Sequence, residues 1–330
     1  MRLLLGVLSV FLLAGCGAKA NGPLALYFVG STRFTTGNRT GVGAGDTLAT
    51  NLYAITDTVT DASNRLTRFT ATVRYTPRRE PFAYPALIAL FINNVPADSL
   101  VTFMDSTLTM RPTTRGDFLY TPVFGVRTTS GTERWTFTAT DASGNSSARS
   151  FVLAVRRTDS LAIFHDYTLR LRVPATTVAA RRFIDLKSGL ALPAYSVVGR
   201  VTNADLQQLT DVIVLPDGLR LASPDTLGAL VPLSEARWPT SRRRATRFRL
   251  TTLLPADFTS AQDSATIRNQ FTGTGRAYLR TLALNQVYAF RAFHSDGTTP
   301  VYGLMQVVNV PNGSTTAGLQ LRVRLAKQRP

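Results

Sequence analysis

Histidine, cysteine and glutamate, the side chains that most often carry metal or hydrolytic chemistry, are scarce: His165, His294, Cys16, Glu80, Glu133 and Glu235 are the whole supply in 330 residues. A structural zinc site needs about four nitrogen or sulfur ligands, which two histidines and one cysteine do not provide. Asp141, Ser143 and Asn145 have the opening spacing of a calcium loop. Its twelfth position is Val152 and not the bidentate glutamate, so the segment reads as a turn. Gly41, Gly43 and Gly45 are followed by no Lys-Ser or Lys-Thr pair, so a phosphate cradle is not expected. No Gly-x-Ser-x-Gly elbow occurs, and His165-Asp166 and His294 with Asp296 fit strand edges as readily as a catalytic pair. Glycoside hydrolysis stays open because it needs only two carboxylates. The aspartates would have to supply them, since Glu133 lies beside Trp135 in a strand where a solvent-facing structural role is expected. No catalytic residue, metal or cofactor is expected.

Binding chemistry rests on arginine. The formal charge of +17 is almost wholly arginine, Lys19, Lys187 and Lys327 being the only lysines. The cations are spread over both halves and alternate with apolar residues, which suits solvated strand faces and not a nucleic-acid tract. Arg242-Arg243-Arg244, with Arg247 and Arg249, is the dense exception. Such a run suits an anionic lipid headgroup or an acidic glycan, and competes with a plain exposed loop. Trp238 with Tyr278 or Tyr288 would support glycan stacking if the rings shared one exposed face.

The remaining chemistry is at Cys16. Arg2 precedes an apolar stretch from Leu3 to Leu13, too short to span a bilayer, that ends in Leu13-Ala14-Gly15-Cys16. This resembles the bacterial lipobox. The resemblance implies a signal peptide over residues 1–15, acyl chains such as palmitate on Cys16, and a lipid anchor in the membrane; Gly17 in place of Asp favours the outer membrane, on an undetermined face. A lone, lipidated cysteine leaves none for disulfides.

These residues must be positioned by sheets. Asn21 to Asp46, rich in Gly and Thr, suits a flexible tether over residues 16–46. Then Phe69, Ala71, Val73 and Tyr75, and likewise Trp135, Phe137 and Ala139, alternate with polar residues, the period-two mark of strands facing a core. Leu87 to Ile92 is apolar on both parities, as a central strand would be. Trp135 to Val155 predicts a hairpin turning at Asp141 to Asn145. The phrase Thr136 to Asn145 resembles the last hairpin of bacterial immunoglobulin-like domains, which implies a β-sandwich over residues 47–157.

Beyond Arg156-Arg157, Tyr167, Leu169, Leu171 and Val173, and near the end Leu319, Leu321, Val323 and Leu325, mark amphipathic strands of a second β-rich domain over residues 158–330. Val287 to Phe293 and Val301 to Val310 predict a second hairpin around Ser295-Asp296-Gly297. Two short helices are expected, over Asn203 to Leu209 and from Pro255 through Gln270. Phe183-Ile184-Asp185-Leu186, Ser188-Gly189, Leu221-Ala222-Ser223-Pro224 and Tyr302-Gly303-Leu304 resemble the C-terminal region of uncharacterised Bacteroidetes-type cell-surface lipoproteins, a family with no assigned reaction.

Envelope proteins of that group carry O-glycans at Asp followed by Ser or Thr and a small or aliphatic residue, so the resemblance implies acceptors. Thr47, Ser99, Ser160 and Thr226 are expected because they fall between strands, although Asp-Ser and Asp-Thr pairs also favour turns and caps. The sequence thus points to a non-enzymatic envelope lipoprotein that binds glycan, polymer or another envelope protein, with a carboxylate-dependent hydrolase as the alternative.

Overall fold

The structure is a computed structural model describing residues 24–43, 45–56, 65–77, 99–108, 117–128, 130–155, 164–171, 180–198, 204–226, 234–261, 263–294, 297–311 and 318–326. Cys16, Glu80, Leu87 to Ile92, Arg156-Arg157 and Ser160 lie outside the described residues. The fold is mainly β, as the alternation predicts. The first half contributes β1 (Leu24–Phe28), β2 (Arg39–Val42), β3 (Thr47–Ala49), β4 (Leu52–Thr56), β5 (Leu66–Pro77), β6 (Ser99–Thr107), β7 (Asp117–Tyr120), β8 (Val123–Gly125), β9 (Gly131–Asp141) and β10 (Ser146–Val155).

A three-stranded sheet, β1-β4-β7, faces a five-stranded sheet, β2-β10-β9-β5-β6. Phe28 packs edge-on to Phe137 at 6.0 Å, and Phe69 lies 5.6 Å from Phe118, so aromatic rings fill the layer between. β9 and β10 form the predicted hairpin. Gly144 takes φ +83°, and Asp141 Oδ1 accepts from the N–H of Ser143 and of Asn145 at 3.0 and 2.9 Å. The carboxylate of the calcium-like spacing therefore closes the turn. The tether expectation is corrected in part: Leu24–Phe28 pairs along the whole of β4, and Leu26 is fully buried. The large apolar side chains of Leu24, Leu26 and Phe28 gain more from the sandwich core than the stretch would keep as free chain.

The second half adds β11 (Phe164–Leu171), β12 (Arg181–Asp185), β13 (Leu190–Pro193), β14 (Val212–Val214), β15 (Leu221–Ala222), β16 (Arg247–Leu250), β17 (Tyr278–Leu279), β18 (Val287–Phe293), β19 (Pro300–Asn309) and β20 (Leu319–Ala326). Its helices are α1 (Ala194–Val197), α2 (Ala204–Leu209), α3 (Pro255–Ser260) and α4 (Ser264–Asn269). The single helix expected from Pro255 is two, because Asp263 accepts from the N–H of Thr266 at 2.6 Å and starts a new helix there. No described helix is long and apolar enough to cross a membrane.

The two halves do not keep separate cores. In the sheet β13-β12-β14-β15-β17, Phe183 and Ile213 join the sandwich core that holds Phe103, Phe124 and Trp135, while Ile184 and Val212 point to a second core under β11-β20-β19-β18-β16. With both faces covered, its strands are apolar on both parities. A third layer, Phe258, Ile267 and Phe271, covers the far side of β18 and β19.

The contact between halves is close at Gly189. Its φ of +64° disfavours a side chain, and an added Cβ would lie 1.9 Å from Thr128 Oγ1 and 2.8 Å from the Tyr167 ring. Thr128 meanwhile bonds Ser188 O through both its N–H and its hydroxyl, at 3.0 and 2.9 Å. Gly189→Val is expected to lower stability by about 3 kcal/mol or more, combining backbone strain with overpacking. A chemical-denaturation midpoint equal to wild type would contradict it.

Candidate functional site

The arginine run is not an exposed loop, and that expectation is corrected. Trp238 is fully buried and packs 6.1 Å from Phe183, so neither face of its indole is open to a sugar. Trp238 itself joins the sandwich core, and burying so large an apolar side chain draws the following arginines inward. Arg243 donates to Trp238 O at 2.8 and 3.0 Å and pairs with Glu235 at 3.0 Å. Arg244 is buried and donates to Phe293 O. Only Arg242, at the end of a 3-10 turn, is partly exposed without such a bond to its charged head.

Arg244 points into a buried ionic cluster that the sequence reading missed. Lys187 Nζ lies 3.0 Å from Asp185 Oδ1 and 2.5 Å from Asp211 Oδ2, with Arg244 Nη1 3.7 Å from Asp211 Oδ1. Burial works to raise both carboxyls. At Asp185 the Lys187 charge and the Ser188 hydroxyl outweigh it and hold the group at about 2. At Asp211 burial wins, helped by the Asp185 charge, and the group is pushed up to about 6. Both aspartates are inaccessible to solvent, so this cluster braces the fold and meets no substrate.

Glu133 is also corrected: it is buried, accepting from Arg127 N–H and Trp135 Nε1, each at 2.9 Å. Burial raises its pKa against the opposing Arg127 charge. It shares parity with Trp135, Phe137 and Ala139, the signal that could have placed it inward.

Two concavities among the described residues could admit a ligand. A groove of about 820 Å³ runs between the halves, past Asp46, Asp166, Arg170, Arg181 and Gln306. It holds two carboxylates, but Asp166 gives both oxygens to Arg322 at 2.8 Å and Asp46 accepts from Gly43 N–H at 2.9 Å. A second pocket, about 560 Å³, opens where β16 and β18 meet β17. Phe248, Leu279 and Tyr288 form its buried floor; Tyr278 and Leu250 are walls; Arg249, Arg276 and Arg280 are exposed on its rim. None of its described lining residues is acidic. Arg220 Nη1 approaches the Tyr278 hydroxyl at 3.4 Å.

The pocket is assembled by backbone features remote in sequence. Phe248 and Arg276 exchange both backbone hydrogen bonds at 2.7 Å, joining β16 to the turn before β17. Gly275, at φ +64°, leaves no room for a Cβ beside the Phe271 ring, 2.7 Å away. Arg247, on the same strand, pairs with Asp225 at 2.6 Å and is not on the rim. Thus Tyr278, Tyr288 and Arg249 line one pocket, but Tyr288 is buried in its floor and Trp238 and residues 242–244 lie outside it, so the expected shared exposed face of rings is not formed.

Of the expected glycan acceptors, Thr47 is exposed and its hydroxyl accepts from Arg181. Thr226 is half-buried and donates to Ser223 O at 2.7 Å. Ser99 opens β6.

No protein-family model matches the chain, and no curated protein matches it. Among solved structures, a DUF4466 family protein from Parabacteroides merdae aligns over 93% of this chain and 99% of that chain, at 8% identity and a TM-score of 0.30. Spo0M, a sporulation control protein from Bacillus subtilis, aligns over 93% and 91% at 7% identity and a TM-score of 0.25. Similarity at this level carries no argument about fold or activity.

Proposed function

We propose that the protein is a non-enzymatic envelope lipoprotein, anchored to the outer membrane through Cys16, that binds an acidic glycan or polymer through the pocket between β16 and β17. Its first half serves as an immunoglobulin-like spacer. The observation that supports this reading is the arginine-rimmed pocket with Tyr278 in its wall and no acidic residue in its described lining. Guanidinium groups pair with carboxylate or sulfate in two-point geometry, and a tyrosine ring offers an apolar face to a sugar. Exposed charge also makes the attraction sensitive to salt.

Arg276→Ser with Arg280→Ser tests it. At low salt, polygalacturonate is expected to bind wild type, and the double variant is expected to bind at least about tenfold more weakly, two charge-assisted contacts being lost. Neutral dextran should bind neither. Equal polygalacturonate binding by variant and wild type would remove the pocket from the function.

A further inference from the structure

In the three-stranded sheet, Leu24, Leu26, Leu52 and Ala54 face the core, so the opposite parity faces outward. Tyr27, Tyr53 and Leu119 form one row across β1, β4 and β7, and Ala25, Ile55 and Asp117 form the next. Tyr27 is 48% exposed, Ile55 39% and Leu119 63%, and Val29, 39% exposed, continues the first strand's outward side. Asp117 is the sole charge in the two rows, and it accepts from the Tyr53 hydroxyl at 3.3 Å. The partner sheet follows the usual rule: Arg68, Thr70 and Arg74 on β5, and Arg134, Thr136 and Thr138 on β9, look outward. Among the described residues, the only large apolar side chain that the large sheet exposes is Leu100, at its β6 edge, whereas on the small sheet the exposed apolar side chains are neighbours across three strands, and contiguous exposed apolar surface of this kind marks an interaction face.

The occupant follows from chain length. β1 begins at Leu24, eight residues after Cys16. Eight residues reach at most about 28 Å, so an acylated Cys16 holds β1 within that distance of the lipid. The link carries Lys19 and no acid, which suits anionic headgroups. Tyrosines with neighbouring aliphatic side chains are the residues that partition into the headgroup region, their rings in the apolar boundary and their hydroxyls in water.

We infer that the outer face of β1-β4-β7 lies on the phospholipid surface that receives the acyl chains, so that the sandwich is docked and does not swing on its link. The inference rests on the lipid anchor in the proposed function. Tethering raises the local concentration of bilayer at this face, so a patch too small to bind alone is held in contact.

The test uses the acylated protein in phosphatidylcholine–phosphatidylglycerol vesicles with brominated acyl chains, which quench tryptophan on contact. Trp135 and Trp238, 2% and 0% exposed, form an unquenched background. Tyr27→Trp and Leu119→Trp are each expected to add emission that is quenched about twofold or more, while Arg134→Trp on the large sheet is not. Equal quenching at all three positions, or none, overturns the inference. Palmitate-analogue labelling of the same samples separates the causes: label on Cys16 without quenching overturns only the docked face, whereas labelling unchanged by Cys16→Ser overturns the anchor and the inference with it. Sedimentation of residues 17–330 gives the remaining arm. A dimer that Tyr27→Ser with Leu119→Ser converts to monomer would make the face a contact between copies, and overturn docking on lipid.

Discussion

Replacing Lys187 with methionine is expected to lower stability at pH 8 by about 3–5 kcal/mol, the cost of leaving buried carboxylates without their cation. The ammonium sits between Asp185 and Asp211, both almost wholly buried, and methionine keeps most of the side-chain volume while removing the charge. The pH dependence has a definite sign. In wild type, Asp185 is held at about 2, below its ordinary value, so its contribution is present above about pH 4 and is lost as pH falls toward 2. Asp211, pushed up to about 6, works the other way: the folded chain gains stability as pH falls from above 6 toward 4 and the group takes up its proton. Together the pair is most stabilising near pH 4, with the Asp185 contribution lost below that and the Asp211 contribution lost as pH rises through 6. Without Lys187 both folded-state values rise, so the variant's deficit is greatest at pH 8 and shrinks at pH 5, where protonation relieves the repulsion. Urea denaturation at the two pH values measures this. Equal midpoints at pH 8, or a larger deficit at pH 5, would show that the cluster is not bracing the fold.

The second large effect concerns the halves. Residues 47–157 expressed alone are expected to give no cooperative melt, against the separable sandwich that the alternation suggests. The fragment lacks β1, whose Leu26 is fully buried and whose Phe28 packs on Phe137 and Phe151. It also lacks the cover that Phe183, Leu192, Val197, Leu206 and Trp238 lay over Phe103, Phe124 and Trp135. Phe103, Phe124, Trp135, Phe137 and Phe151 are left partly uncovered in the fragment; each forfeits part of the about 1.5–3 kcal/mol that full burial contributes, and the sum is comparable with the roughly 5–15 kcal/mol net stability of a whole domain. Residues 17–330 serve as the reference in far-ultraviolet circular dichroism melts with a hydrophobic dye. A sharp, dye-free transition in the fragment would show that the first core is sufficient by itself.

The sequence by itself determined the local elements and their inward parities. Period-two alternation located β5, β9, β10, β11 and β20, and Asp141 to Asn145 marked the turn between β9 and β10. These features depend on neighbours a few residues away, and one strand's pleat is enough to express them. Parity also held the position of Glu133, overridden by the expectation that a carboxylate seeks water; Arg127 and the Trp135 indole supply the partners that make its burial tolerable.

Only the tertiary structure decided what covers each face. Trp238 lies in a stretch without periodicity, so nothing local says that it fills space beside Phe183 or that Arg243 and Arg244 must follow it inward. Arg249, Arg276 and Arg280 are up to 31 positions apart and meet because β16 pairs with the turn at Arg276. The outward row Tyr27, Tyr53 and Leu119 exists only through the register of three strands separated by long stretches of chain. In each case the deciding energy is non-local burial or pairing. Composition fixes how much apolar and charged surface the chain has, but the packing of distant elements fixes which of it remains in contact with water.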